Sequence, residues 1–284
     1  MKAALRSLVA AICRPATRAS ERARPGLRVL MYHRVARVDG FDQLTVSPER
    51  FDAQMRALAA SRRVVGLVDG LRAVRAGALD QPMVAVTFDD GYLDNLVEAA
   101  PILLRHGVAA TVFVSTGFCE QTMVHPRYAA YARSRLHLDW DEVAELASLP
   151  GIEIGSHTDT HPYLPRLPDA RAREEIAGSR DRIARRLGRD VRAFCYPSGD
   201  VGAREARLAL DAGYEFAVTV SPGVNRRGFD PMLVRRTEIT QRDDAEAFAL
   251  KLDGAFDPLH RLLHVRRQWR FERARATSQG NDQS

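Results

Sequence analysis

Met83-Val84-Ala85-Val86-Thr87-Phe88-Asp89-Asp90-Gly91-Tyr92 is a run of apolar and β-branched residues that ends abruptly in two carboxylates and a glycine. Such a run predicts a central strand of a parallel sheet, and the carboxyl end of such a strand is where α/β proteins place their chemistry. Asp89 and Asp90 then stand at that rim. Neighbouring residues leaving a strand point in different directions, so the two aspartates can serve one site in different roles, one gripping a cation and one left free. Taken alone, the Asp-Gly pair reads equally well as a plain turn.

A second stretch shifts that balance. Ile152-Glu153-Ile154 predicts another strand, ended by Gly155 and followed by Ser156-His157-Thr158-Asp159-Thr160-His161-Pro162. Two histidines four apart just after a strand can turn both imidazoles toward one point. With one carboxylate they suit Zn²⁺ or a similar divalent ion and leave a position for water. The glutamate of a His-Glu-x-x-His zinc protease is missing here, so another carboxylate has to act as base. Two surface histidines beside a turn are the plain alternative.

The flanking chain alternates strand and helix without a fixed repeat, which predicts a single α/β barrel rather than two domains. Leu27 to His33 reads as the first strand. Ser47-Pro48 caps a helix whose apolar face is Phe51, Met55, Leu58 and Ala59. A short strand is expected over 64–68 and helical remnants over 71–79. The helix from Asn95 stops at Gly107, and a β-branched strand covers 109–115. The irregular stretch 116–138, with His125 and His137, has the length of a functional loop. Asp139 caps the next helix; 170–188 reads as a solvated helix with a core stripe, 203–213 as another helix, and 216–220 and 233–239 as late strands.

Composition narrows the setting. The chain of 284 residues carries 42 Lys+Arg against 36 Asp+Glu, and the excess lies at its two ends, Arg14 to Arg28 and Arg261 to Arg275. That distribution fits a solvated or membrane-facing edge better than a nucleic-acid groove. Three cysteines, Cys13, Cys119 and Cys195, show no Cys-x-x-Cys spacing, so neither a disulfide framework nor a cysteine zinc site is indicated. The apolar run Leu8 to Cys13 is too short for a bilayer span of about 20 residues, and as a secretion signal it is weak, so a cytoplasmic or membrane-peripheral place is favoured. Residues 1–26 form a basic segment, either a disordered tail or a short amphipathic helix on a membrane surface.

Thr87-Phe88-Asp89-Asp90-Gly91 and His157-Thr158-Asp159-Thr160-His161-Pro162, complete and in order, resemble the signature of the polysaccharide deacetylase (NodB-like) family. The opening Leu30-Met31-Tyr32-His33-Arg34-Val35 is similar to the branch that acts on exopolysaccharides. The resemblance covers 27–254, leaving 255–284 as a basic amphipathic segment and tail, and implies a distorted (β/α) barrel with its site at the carboxyl rim. It implies Asp89 as general base, Asp90, His157 and His161 as ligands of Zn²⁺ or of Co²⁺ or Mn²⁺, and Tyr92, Tyr196, Pro197 and Ser198 near a carbohydrate substrate. The reaction implied is hydrolysis of an N-acetyl group from an amino sugar, releasing acetate.

Two departures from the family pattern leave alternatives open. Cys195 stands where the family carries an arginine that orients the catalytic aspartate. Arg236, on the late strand, is a substitute if that strand returns its guanidinium to the rim, and an ordinary surface arginine if it does not. The late Leu-x-His that supplies the acid is matched only by Leu262-Leu263-His264, in a segment that reads as helix, so His264, His125 and His137 are rival acids. A carbohydrate-binding protein without turnover, or a deacetylase or amidase acting on a lipid-linked sugar or small amide, are the competing readings.

Overall fold

The computed structural model describes residues 2–128, 135–263 and 265. Elements follow one another as α1 (Lys2–Ala23), β1 (Leu27–Tyr32), β2 (Arg34–Val35), β3 (Thr45–Val46), α2 (Pro48–Ser61), β4 (Arg63–Val64), α3 (Leu67–Ala76) and β5 (Met83–Phe88). Then come α4 (Ala100–His106), β6 (Ala110–Val114), α5 (Thr116–Cys119), α6 (Trp140–Ser148), β7 (Ile152–Ser156), α7 (Asp169–Arg173) and α8 (Ser179–Leu187). The order closes with β8 (Ala193–Cys195), α9 (Ala203–Asp211), β9 (Phe216–Val218), β10 (Thr237–Glu238) and α10 (Ala245–Leu252). Two π-helical turns, Asn95–Ala99 and Glu174–Gly178, run into α4 and join α7 to α8.

Eight parallel strands form one curled sheet in the order β10-β1-β5-β6-β7-β8-β9, with β4 paired to the lower part of β5. A parallel bridge between Val218 and Val234 brings the two ends of the sheet together, which makes the sheet a single distorted (β/α) barrel. Because side chains alternate across a strand, every second residue points inward. Leu27 and Val29, Met83 and Ala85, Phe113, Ala193, Phe216 and Val218 fill the barrel, and Leu67, Leu71 and Val74 of α3 close its lower end. The intervening residues face the helices in a second, larger cluster that includes Val86, Phe88, Val112, Phe194 and Tyr196.

Local sequence explains the element ends. Ser47 Oγ accepts from Arg50 N–H at 3.3 Å to start α2, and Asp139 and Glu142 complete a reciprocal capping box at α6. Gly107 ends α4 at φ 62°, the left-handed geometry that glycine adopts without cost. On α2 the buried face is Phe51, Gln54, Met55 and Leu58, while Ala59, expected to join it, is exposed. The strand expected over 64–68 stops at Val64 because Gly66 already caps α3. Residues 2–23, for which a disordered tail was one expectation, form α1. Its Ala10 packs with Leu250, Ala255 and Phe256. No described helix is long and apolar enough to cross a membrane.

One glycine shapes the interior. A Cβ added at Gly155 would lie 2.4 Å from the Phe113 ring, which occupies that space inside the barrel. Gly155→Ala is therefore expected to destabilise the fold by about 1–3 kcal/mol, the usual cost of overpacking. Urea unfolding measures this, and an unchanged midpoint would show that Phe113 moves aside freely.

Candidate active site

The strand register assembles the rim. Tyr32 pairs with Phe88, so the residues that follow, His33 and Asp89, leave neighbouring strands side by side. Val114 pairs with Ser156 and Ser156 with Phe194, which sets His157 beside Cys195. The turns that follow are held in unusual backbone conformations: Asp90 at φ 72°, Thr158 at φ 69°, His161 at φ 55° and Ser198 at φ 61°. Non-glycine residues in this region cost on the order of 1–3 kcal/mol each and persist only where surrounding contacts enforce them.

Buried Glu175 provides one such enforcement. Its carboxylate accepts from the backbone N–H groups of Asp159 (3.0 Å) and Thr160 (2.8 Å) and from the Thr160 hydroxyl (2.7 Å). It sits in the π turn between α7 and α8, a device often found at functional sites. Thr158 Oγ1 closes the loop by accepting from His161 N–H at 3.1 Å.

Within that frame three ligand-type atoms converge. Asp90 Oδ1 lies 3.3 Å from His157 Nε2 and 3.3 Å from His161 Nε2. The oxygen is buried and has no aligned hydrogen-bond donor. His157 Nδ1 and the Cys195 carbonyl oxygen are 2.7 Å apart, so Nδ1 carries a proton and Nε2 is the nitrogen that faces Asp90. A backbone carbonyl fixing the far nitrogen in this way is the usual support of a metal-ligating histidine. A carboxylate oxygen and two imidazole Nε2 atoms converging in this way fit a divalent cation.

Asp89, Cys195 and His157 also lie close enough together to be considered as a metal triad, but their surroundings argue against it. Both Asp89 oxygens are taken by Arg236, at 2.6 Å from Nη1 and 2.7 Å from Nη2. The Cys195 sulfur accepts from the same guanidinium at 3.2 Å, and burial pushes its thiol pKa up, which keeps it protonated. A cation placed there would sit against a fixed positive charge.

Arg236 is fully buried and has a partner for each of its side-chain nitrogens. Nε donates to the Thr219 carbonyl at 2.8 Å, and Nη1 reaches Thr87 Oγ1 at 3.2 Å in addition to Asp89. The arginine just before β10 thus occupies the rim position that Cys195, a small residue, leaves free. Burial pushes the Asp89 carboxyl up, but the Arg236 guanidinium outweighs it, with help from His157 and His33, and holds the group below its ordinary value. Asp90 is likewise held well below the usual range, its burial outweighed by His157 and His161.

The structure separates the expected substrate and acid residues. Tyr92 is buried, stacked on His137 with ring centroids 4.8 Å apart, and its hydroxyl has no hydrogen-bond partner. Tyr196, expected near substrate, faces the helices instead: it is buried against Phe194 and its hydroxyl donates to the Met232 carbonyl at 3.1 Å. Pro197 is buried, and Ser198 is exposed at the turn after β8. His137 lies 3.1 Å from the Asp90 carbonyl through Nδ1 and accepts from His125 N–H at 3.3 Å through Nε2, with burial pushing it down to about 4. His125 is also pushed down by burial to about 4. Neither holds a proton to give at neutral pH. His264 lies outside the described residues.

His33 and Glu175 carry roles that the sequence reading did not give them. His33 Nδ1 is buried and without a partner, and the residue leaves β1 beside Asp89. Its signal was its place at the end of a strand paired with the Asp89 strand.

A parallel barrel with an Asp-His-His cluster that could hold a divalent cation and an arginine-held carboxylate at its carboxyl rim defines the class: an α/β-barrel hydrolase. The polysaccharide deacetylase family model matches residues 76–217, half of the chain, and the chain belongs to that family, a deacetylase. Among relatives, the candidate polysaccharide deacetylase YxkH of Bacillus subtilis (strain 168) is 26% identical over 230 residues, covering 80% of this chain and 76% of its own. Among solved structures, the deacetylase PplD of Streptococcus pyogenes, in complex with acetate, has the same fold, with a TM-score of 0.71 at 23% identity over 80% of this chain and 98% of its own. A polysaccharide deacetylase of Bacillus cereus superposes with a TM-score of 0.67 at 25% identity, over 81% and 69%.

Removing the arginine alone would leave Asp89 buried and uncompensated. Arg236→Ala is expected to cost about 3–5 kcal/mol. Because the folded carboxyl lies below its unfolded value, the pair's stabilisation is complete above about pH 4 and is lost as pH falls through the lower folded value. Urea unfolding at several pH values tests this; equal stability of the two chains at pH 7 would contradict it.

Proposed function

We propose that the protein is a metal-dependent deacetylase that hydrolyses the N-acetyl group of an amino sugar, N-acetylglucosamine in a polysaccharide or glycan, and releases acetate. The convergence of Asp90, His157 and His161 beside a separate, arginine-held Asp89 carries this reading. Bound there, Zn²⁺, or Co²⁺ or Mn²⁺ in its place, would polarise the acetyl oxygen and bring the pKa of a water to about 7.

The chain's own residues then divide the proton work. Asp89 takes the proton from the attacking water as the carbon–oxygen bond forms. Its low pKa makes it a weak base, so it serves only a water already acidified. Arg236 holds it ionised and fixes its direction. As the carbon–nitrogen bond breaks, the leaving amine needs a proton, and His33 is the histidine placed to give it: His125 and His137 are held neutral by burial, and His33 stands next to Asp89 with an unpartnered ring nitrogen. The basic ends add a peripheral contact with an anionic membrane surface, which suits a lipid-linked or membrane-proximal glycan.

Acetate release from short N-acetylglucosamine oligomers is expected to require added metal and to vanish on chelation and in Asp89→Asn. His33→Gln is expected to lower kcat by about 10²–10⁴, with His125→Gln closer to the natural chain. Metal-independent release would sink the metal reading, and an unchanged kcat in His33→Gln would sink the acid assignment.

A further inference from the structure

The outer flank of the barrel carries a site that the catalytic rim does not use. A cavity of about 300 Å³ opens between α2 and α10, walled by Ala53, Ala57, Phe248, Ala249 and Leu252 and rimmed by Arg14, Arg18, Arg50 and Arg62. Three of these guanidinium groups meet one carboxylate, Asp253, whose side chain is only 3% exposed. Arg14 Nε is 2.7 Å from its Oδ2, and Arg18 Nε, at 3.6 Å, and Arg62 both meet Oδ1. Arg50 donates to the backbone carbonyl of Gln241. Four cations thus face one anion around an apolar opening. An adjoining cleft of about 380 Å³ shares Arg18, Arg62 and Asp253 and adds Arg22; its acids, Glu21 and Asp80, are paired with Arg28 and Arg63.

On a flat wet surface such a surplus would carry little meaning. Here three of the four cations are gathered around one buried carboxylate, and their mutual repulsion is relieved by a further anion whose oxygens accept in pairs, as phosphate does. The apolar walls offer nothing to an inorganic anion but take hydrocarbon, and the cavity matches the lower end of ligand-pocket sizes, about 300–1,000 Å³.

We infer that the cleft between α1, α2 and α10 binds the phosphate headgroup of an anionic membrane lipid, with the first part of its acyl chain lying between α2 and α10. This gives the membrane contact proposed above a lipid chemistry, and it rests on that contact. It shares no residue with the Asp90–His157–His161 cluster or the Asp89–Arg236 pair.

The test titrates the full chain with monomeric dihexanoyl phosphatidylglycerol, dihexanoyl phosphatidylcholine and inorganic phosphate by calorimetry, and separately floats it with phosphatidylglycerol vesicles. Phosphatidylglycerol is expected to bind at least tenfold more tightly than either other probe. Arg14→Gln combined with Arg18→Gln should weaken it at least tenfold. Ala57→Phe, which narrows the cavity and keeps every charge, should remove short-chain binding while vesicle flotation and acetate release persist. Equal binding of the two lipids, phosphate binding as tightly as the lipid, or full binding by Ala57→Phe overturns the inference alone. Failure of the unaltered chain to float with the vesicles overturns the membrane contact itself and the inference with it.

Discussion

The paired hydrogen bonds between Arg236 and Asp89 are the constraint on which the rim depends. A carboxylate buried inside a barrel is tolerated only with a partner that satisfies both oxygens, and Arg236 does so from a segment 147 positions away. The pairing draws the sheet's last segment toward its middle, beside the Val218–Val234 bridge that joins the sheet's ends. It also removes Asp89 from competition for a cation, leaving Asp90 to face the two histidines. One aspartate is committed to a guanidinium and its neighbour to imidazoles, and the left-handed turn at Asp90 sends the two carboxylates in different directions.

Much of this was legible in the sequence because it follows from period and punctuation. The strand into Asp89, the serine and aspartate caps and the glycine stops are local signals, and each appears where the chain's chemistry demands it. Tyr196 was expected near substrate, against period two: with Cys195 inside the barrel, the next residue has to face the helices. Other parts depended on strands far apart in the chain. His33 gains its place only from the Tyr32–Phe88 register, and Glu175 is one acid among many on a charged helix until the fold turns it toward the His157–His161 loop. Whether Arg236 met solvent or Asp89 turned on how the sheet closes, and no local pattern encodes that.

Cys195 illustrates how one position acts through its size and its backbone. Its carbonyl fixes the His157 tautomer, its small side chain leaves room for Arg236, and its sulfur accepts one of the guanidinium's hydrogen bonds. The guanidinium beside Asp89 reaches the rim from the other side of the sheet's closure, and the Asp90–His157–His161 cluster is undisturbed.

X-ray absorption at the zinc edge of the zinc-loaded protein bears most directly on the claim that Asp90, His157 and His161 hold the cation while Asp89 stays with Arg236. The account predicts a shell of nitrogen and oxygen ligands at about 2.0–2.2 Å, including two imidazoles and no sulfur. A zinc–sulfur distance of about 2.3 Å would place the ion with Cys195, Asp89 and His157 and contradict it.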